Sequence, residues 1–446
     1  MSPENPFGRA PELTEAGKPA MKKERYRPLP EQAVEELYKN KNIELPFDPK
    51  DLVCFLDREQ GTLDLRTVPY HHRSADLGVT TVVKEKTTHG MNVYSQFDLK
   101  GTGFVFPEEH ESKRHGVKKG DLSQAGETHF FANSKETPWG YDTLGLMDER
   151  MAMKALEAIQ FFSGKGLRTE GIAGIYRLKE FISGGKTIKL QSFIRQEARG
   201  LRATALEATS EKEKLHMLEQ AKDLVDFQPV VVVRLMRSIF RLRDVLDAPT
   251  RDRASMIEEA CEALNHEADA LGLPERYDPS TAEGRRAWFE RIGGHLGRGL
   301  GVIQGEGMFH GFLHMGNLTL AGEVVDMDSV ESAMDTENAF RRPLPEWAGL
   351  PASAVKDMRD LCFSFRMMCK QLPEDGSAGM AVDRSALADA LKRGYAEGLP
   401  EKTPWDQSSF LKATLVDMFG KMVDKLIVQG KRVGPILADF EAEQET

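Results

Sequence analysis

The chain has 446 residues, 40% of them hydrophobic and 29% charged, and carries a net charge of −10 at pH 7. That length exceeds what one compact core usually fills, so two lobes are expected, and the acidic balance argues against non-specific nucleic-acid binding. No apolar run reaches the roughly 18 residues of a membrane span, the N-terminus lacks an apolar signal core, and Cys54, Cys261, Cys362 and Cys369 show no paired spacing, which together suggest a reduced cytoplasmic protein with neither membrane nor nucleic-acid partners.

Residues 1–47 hold seven prolines among many Glu and Lys and read as an extended arm, apart from a short helix at Glu31–Tyr38. Strand-like segments follow at Leu52–Leu56, Leu63–Val68, Val79–Val83 and Asn92–Leu99, the last running into Lys100-Gly101-Thr102-Gly103. Residues 104–139 form a charged stretch with three histidines, long enough to be a functional or disordered loop. A helix is expected from Leu144 to Phe162, stopped by Gly164 and Gly166. Ile172–Phe181 and Lys186–Ile194 flank Ser183-Gly184-Gly185 as a hairpin, Glu211–Phe227 reads as a helix, and Pro229–Leu235 as a buried strand. The rest is mainly helical: Ala254–Leu271, Thr281–Gln304, Pro351–Gln371, Arg384–Gly398 and Ser408–Gln429. The pattern predicts an α+β fold, with a β-rich lobe over 48–245 and a helical lobe over 246–446.

Embedded in the helical half, Leu318-Thr319-Leu320 and Glu323-Val324-Val325 are two short β-prone runs about Ala321-Gly322. A two-residue turn would pair 320 with 323 and bring Asn317 directly across from Asp326. An amide oxygen and a carboxylate that close suit a hard divalent cation such as Mg²⁺ or Mn²⁺. This is the layout of a kinase catalytic loop and its metal-binding Asp, and with the β-then-helix order it gives a two-lobed, protein-kinase-like plan. Lys100, at a strand end before a glycine turn, can reach a phosphate. A carboxylate must position such a lysine, and Glu149 is the first choice, with Glu157 its rival. Arg234, leaving a buried valine strand, and Arg241 beyond it can fork onto phosphate oxygens. The bland alternatives are an ordinary surface hairpin, an exposed lysine at a turn, and a basic surface around Arg237, Arg241 and Arg243. His310 and His314, four apart, also admit a zinc pair, but Gly311 stands where a metalloprotease helix needs Glu.

Taken together, His310-Gly311, Gly316-Asn317 and Asp326 nine residues on, the Leu99-Lys100-Gly101-Thr102-Gly103 segment, and Arg234 with Arg241 resemble the selenoprotein O family of kinase-fold protein adenylyltransferases. Gly78, with Leu77, falls near the place of that family's glycine-rich nucleotide loop. The resemblance implies Lys100, Glu149, Arg234, Arg241 and Gly78 at the nucleotide, Asn317 and Asp326 at the metal, ATP as substrate, and a protein hydroxyl as AMP acceptor.

The sequence also departs from the family. Gly316 occupies the position of its proposed general base, Phe312 that of the base in aminoglycoside-type kinases, Val79, Thr80 and Thr81 replace the expected Gly and Arg, and the selenocysteine or Cys-x-x-Cys terminus is missing. His314 and Asp328 are the nearest titratable substitutes, and Asp328 on an extended strand would share the metal with Asp326. Three readings stay open: AMP transfer, phosphoryl transfer, and a nucleotide-binding pseudokinase.

Overall fold

The computed structural model describes residues 22–68, 74–103, 146–183, 185–248, 250–332, 343–344, 350–372, 382–401 and 409–431. The charged stretch 104–139 lies outside them. Among the described residues the fold is α+β around one large antiparallel sheet. Its strands are β1 (Lys22–Pro28), β2 (Val34–Lys39), β3 (Cys54–Leu56), β4 (Leu63–Thr67), β5 (Ser74–Lys86), β6 (Met91–Lys100), β7 (Met147–Asp148), β8 (Gly171–Leu178) and, after the small hairpin β9 (Glu180–Ser183) and β10 (Lys186–Lys189), β11 (Pro229–Met236). They run in the order β2-β8-β11-β6-β5-β4-β1-β3, with β7 added to β11.

Both faces of the sheet are covered, so β11 is apolar on both sides and reads as a continuous valine run rather than an alternation. On one face Phe97, Leu99, Tyr176, Val231 and Val233 share a core with α2 (Leu190–Glu207) and α3 (Glu211–Asp226). On the other, Ile175, Val230, Val232 and Met236 join the core of the helical half. That half holds α4 (Leu242–Asp247), α5 (Thr250–Leu271), α6 (Ala282–Gly305), α7 (Ala352–Gln371), α8 (Arg384–Gly398) and α9 (Ser409–Val423). The same core takes in α1 (Glu149–Ser163), whose start is capped by the Asp148 carboxylate accepting from the Arg150 N–H.

Several expectations are corrected here. The N-terminal arm is not loosely attached from residue 22 onward, because β1 and β2 are strands of the main sheet, and Glu31–Tyr38 is a 3₁₀ turn (Glu31–Ala33) leading into β2. Residues 1–21 lie outside the description. The Ser183–Gly185 hairpin exists, but its second strand stops at Lys189 and the chain continues as α2. A lobe boundary at 245/246 falls inside α4. All four cysteines are buried and free. Among the described residues, no helix is long and apolar enough to cross a membrane.

Candidate functional site

On β6, Phe97 and Leu99 enter the core under α2 and α3, so Asp98 and Lys100 face the helical half. Lys100 is the last strand residue. Gly101 follows with φ +96, and a Cβ there would lie 2.3 Å from the Val230 carbonyl oxygen, so only glycine permits the turn. The Lys100 ammonium lies 2.7 Å from Asp326 Oδ1 and 4.0 Å from Asp328. It therefore faces the Asp326 cleft, as expected, but its carboxylate partner is Asp326 itself.

Neither proposed helix carboxylate reaches Lys100. Glu149 sits in the first turn of α1 and binds the Arg177 fork of β8 at 2.7 and 2.9 Å, while Glu157 is exposed. The helix begins at Glu149 rather than Leu144, which turns Glu149 toward β8. Glu149→Ala should therefore leave ATP affinity unchanged in a calorimetric titration, whereas Lys100→Ala should lower it. Equal losses in the two variants would reinstate Glu149 at the site.

Arg234 lies directly across from Asp98 in the β6–β11 ladder. Its Nε donates to Asp98 at 2.7 Å and its Nη2 to Asp98 and to Ser74 Oγ; its Nη1 donates to Glu170 at 2.8 Å and to Asp326 at 3.4 Å. It is 2% exposed. With every guanidinium nitrogen engaged inside the protein, Arg234 positions Asp326 and has no donor left over to grip a phosphate. Arg237, three residues on, is buried against Glu267 and Glu323, so this stretch is not a basic surface.

Arg241 precedes α4, its N–H held by Asp244 at 2.7 Å. The flanking residues pair with the 317–326 segment, Leu242 N–H donating to Leu318 O and Leu320 N–H to Phe240 O, both at 2.8 Å. This brings Arg241 Nη1 within 3.2 Å of both Asn317 Oδ1 and Asp326 Oδ2, and onto the Gly316 carbonyl.

The 317–326 hairpin differs from its expected register by one residue. Leu318 bridges Val324, Thr319 N–H donates to Glu323 O, and Val325 N–H donates to Asn317 O. The loop thus has three residues with Gly322 at φ +77, and Asn317 faces Val325 rather than Asp326. Nor is it a surface hairpin: Leu318, Leu320, Val324 and Val325 are buried, and Trp288 donates to the Leu320 carbonyl. Asn317 and Asp326 still meet through Arg241, because Asp326 adopts the left-handed conformation (φ 61, ψ 48), which Asp tolerates. Glu170 holds the Asp326 N–H at 3.0 Å and Ser329 bonds its carbonyl. A 3₁₀ turn, not an extended strand, then carries Asp328 toward Lys100.

Electrostatics follow from this packing. Burial alone would raise the Asp326 carboxyl, but Lys100, Arg241 and Arg234 outweigh it and hold the group well below the usual carboxylate range. His310 is fully buried, with Nε2 donating to the Val325 carbonyl at 2.9 Å, Nδ1 accepting from the Phe312 N–H, and the Ser329 hydroxyl oxygen 3.1 Å from Nδ1; burial lowers its pKa to about 4. The Asp357 carboxylate of α7 receives the His310 and Gly311 N–H groups at 2.6 and 3.0 Å, fixing the loop from beneath. His314 caps the short turn before Asn317, its Nδ1 accepting from Gly316 N–H at 3.1 Å. The neutral ring then carries its proton on Nε2, so it has no free lone pair to act as a base, and burial lowers its pKa.

Gly78, with φ +84, lies at a bulge inside β5 opposite Phe97, not in a loop; the β5–β6 turn comes later, at residues 87–90. Among the described residues, no group of three or more His, Cys, Asp or Glu side chains is gathered to hold a metal, and the proposed zinc pair has both His310 ring nitrogens and His314 Nδ1 already bonded to backbone groups. Asp326, Asp328 and Asn317 nevertheless supply hard oxygens, and a guanidinium nitrogen already sits between the Asn317 and Asp326 oxygens. That donor set fits Mg²⁺ or Mn²⁺, which takes its remaining ligands from water and phosphate.

Sequence reasoning missed Asp98, Glu170 and Asp357. Asp98 left a signal, a carboxylate between two core residues of a strand; Glu170 and Asp357 left none. No protein-family model matches the chain, and no curated protein matches it.

Proposed function

We propose that this chain is a kinase-like nucleotidyltransferase of the selenoprotein O type, which binds ATP and transfers AMP to a protein hydroxyl in the cytoplasm. The observation that carries the reading is the meeting of Lys100 and Arg241 on opposite oxygens of Asp326, with Asn317 on the same guanidinium. These residues come from β6, the start of α4 and the 317–326 hairpin, and two flexible cations on one carboxylate suit a site whose partner is a polyphosphate.

When the triphosphate enters, Lys100 and Arg241 exchange Asp326 for phosphate oxygens. Asp326 and Asn317, with Asp328, are then free to hold the divalent ion, which would neutralise phosphate charge. Arg234 and Glu170 keep the Asp326 backbone and carboxylate in place throughout. The acceptor oxygen attacks the α-phosphorus, a new P–O bond forms, the hydroxyl proton passes to solvent, the α–β bridge breaks, and pyrophosphate leaves with the bonding pair. Positioning and charge neutralisation supply most of the rate in such transfers.

A second reading, nucleotide binding without transfer, draws on the way His314 spends its only lone pair on the turn and on Gly316 at the base position. ATP labelled separately at the α- and γ-phosphates distinguishes the outcomes. The expected result is α-label on protein with release of pyrophosphate. Label only from the γ-position would make the protein a phosphotransferase, and tight binding with no label would make it a pseudoenzyme.

A further inference from the structure

Phe312 is 57% exposed, yet its backbone is among the best-held in the site. Its N–H donates to His310 Nδ1 at 3.3 Å, and its carbonyl accepts from Asn317 Nδ2 at 3.0 Å and from His314 N–H at 2.8 Å. Single exposed apolar side chains are ordinary. This one is fixed beside Asn317 and has polar company. The His314 ring stands edge-on to it, centroids 6.4 Å apart, and the Lys356 ammonium lies 5.5 Å from its centroid. Lys356 is itself anchored on the Gly311 carbonyl and on Asp360, both at 2.5 Å.

Among the described residues, the carboxylates around this centre are committed elsewhere. Asp326 is held by Lys100 and Arg241 and, once they turn to the triphosphate, is assigned to the ion. Glu170 is held by Arg234 and the Asp326 N–H, Asp357 by two backbone N–H groups, and Asp360 by Lys356 and Arg359. Asp328 lies against Lys100 and belongs to the metal set. An aliphatic hydroxyl reacting here would have to lose its proton with no uncommitted carboxylate among the described residues to receive it. A phenol differs, because with a pKa of about 10 roughly one molecule in a thousand is already ionised at pH 7.

We propose that the acceptor is a tyrosyl side chain, received against the Phe312 ring beside Lys356; this rests on the nucleotidyl-transfer reading above. The aromatic edge of His314 and the face of Phe312 suit a second ring. Lys356, with two N–H groups on Gly311 and Asp360, keeps a third to donate to the phenolic oxygen, whose proton goes to bulk water before attack. The phenolate oxygen then bonds to the α-phosphorus as pyrophosphate departs.

The test uses the full chain, α-labelled ATP and three peptides that differ only in bearing Tyr, Ser or Thr. Label should reach the Tyr peptide faster by at least about tenfold, and the rate should rise about tenfold per pH unit between about 7 and 9. A fluorinated tyrosine that ionises near neutrality should react faster at pH 7, with a flatter profile. Phe312→Ala should raise KM for the Tyr peptide by about tenfold, with ATP affinity by calorimetry unchanged, and Phe312→Trp should restore it. Equal labelling of Ser and Tyr, or a pH-independent Tyr rate, overturns the acceptor assignment and leaves AMP transfer standing. ATP binding with no α-label on any peptide removes both.

Discussion

Arg234→Met should cost about 3–5 kcal/mol of unfolding free energy, the largest stability loss expected of any single change at this site. The guanidinium lies between Asp98 and Glu170, each of whose side chains is only 2% exposed. Methionine fills much of the volume but leaves the buried Asp98 and Glu170 carboxylates without the guanidinium they share. Both must then stay charged in a poor solvent or take up protons, and either route disfavours the folded state. Arg234→Lys keeps the charge but not the fork, so it should fall between wild type and Met. Chemical denaturation monitored by near-UV circular dichroism gives the numbers. A loss below about 1 kcal/mol for the Met variant would mean that the cluster is solvated and that Arg234 is an ordinary surface residue.

The same logic explains a second cluster that reinforces the first. Arg168 and Arg237 share Glu267, and Arg237 also bonds Glu323, whose side chain is completely buried. Glu323 lies in the hairpin that leads to Asp326 and accepts from the backbone N–H groups of Arg237 and Ser238. The segment after β11 is thus tied to the hairpin before Arg241 is reached. That is why two residues far apart in sequence meet Asp326 with 3 Å geometry.

How much of this was legible depended on whether a residue's role is local. Lys100 announces itself through the glycine turn that follows, and Asn317 and Asp326 through two short β-prone runs about Gly322. Glu149 misled because the start of α1 is set by the Asp148 cap, and a shift of the helix start by a few residues turns a first-turn side chain toward a different partner. β1 was invisible for a related reason. Its inward positions are Glu24 and Tyr26, and Glu24 is buried because Arg58 forks onto it, so the period-2 pattern carries a charge where an apolar residue is expected. In α2 the inward residues Leu190, Ile194, Ala198, Leu201 and Ala205 do have helical spacing, but a reading that stops at Ile194 ends before the spacing declares itself. Glu170 stands just before β8 with no motif around it. Only the tertiary fold gives it both Arg234 and the Asp326 N–H.

Asp326→Asn should abolish the metal dependence of ligand binding while raising the metal-free affinity. Asparagine keeps the shape and tolerates the left-handed backbone, which alanine adopts less well, so it tests charge alone. Without a ligand, Asp326 neutralises Lys100 and Arg241. Removing its charge leaves those cations unbalanced, and a unit charge about 4 Å away is worth about 4 kcal/mol at an effective dielectric of about 20, reduced by salt. Affinity for tripolyphosphate or ATP in EDTA should therefore rise, by about tenfold or more after screening. Added Mg²⁺ should strengthen binding in wild type and do little in the variant, because the carboxylate proposed to hold the ion is gone. The acid side gives an independent check on the same charge. The wild-type carboxyl is held well below its usual range, so its contribution to stability is fully present above the unfolded pKa and is lost as pH falls through the folded value. The Asn variant should lack that component of acid unfolding. Calorimetric titrations in EDTA and in Mg²⁺ decide the main point. If metal-free affinity falls together with metal-dependent affinity, Lys100 and Arg241 do not exchange the carboxylate for phosphate, and the proposed swap of partners is withdrawn.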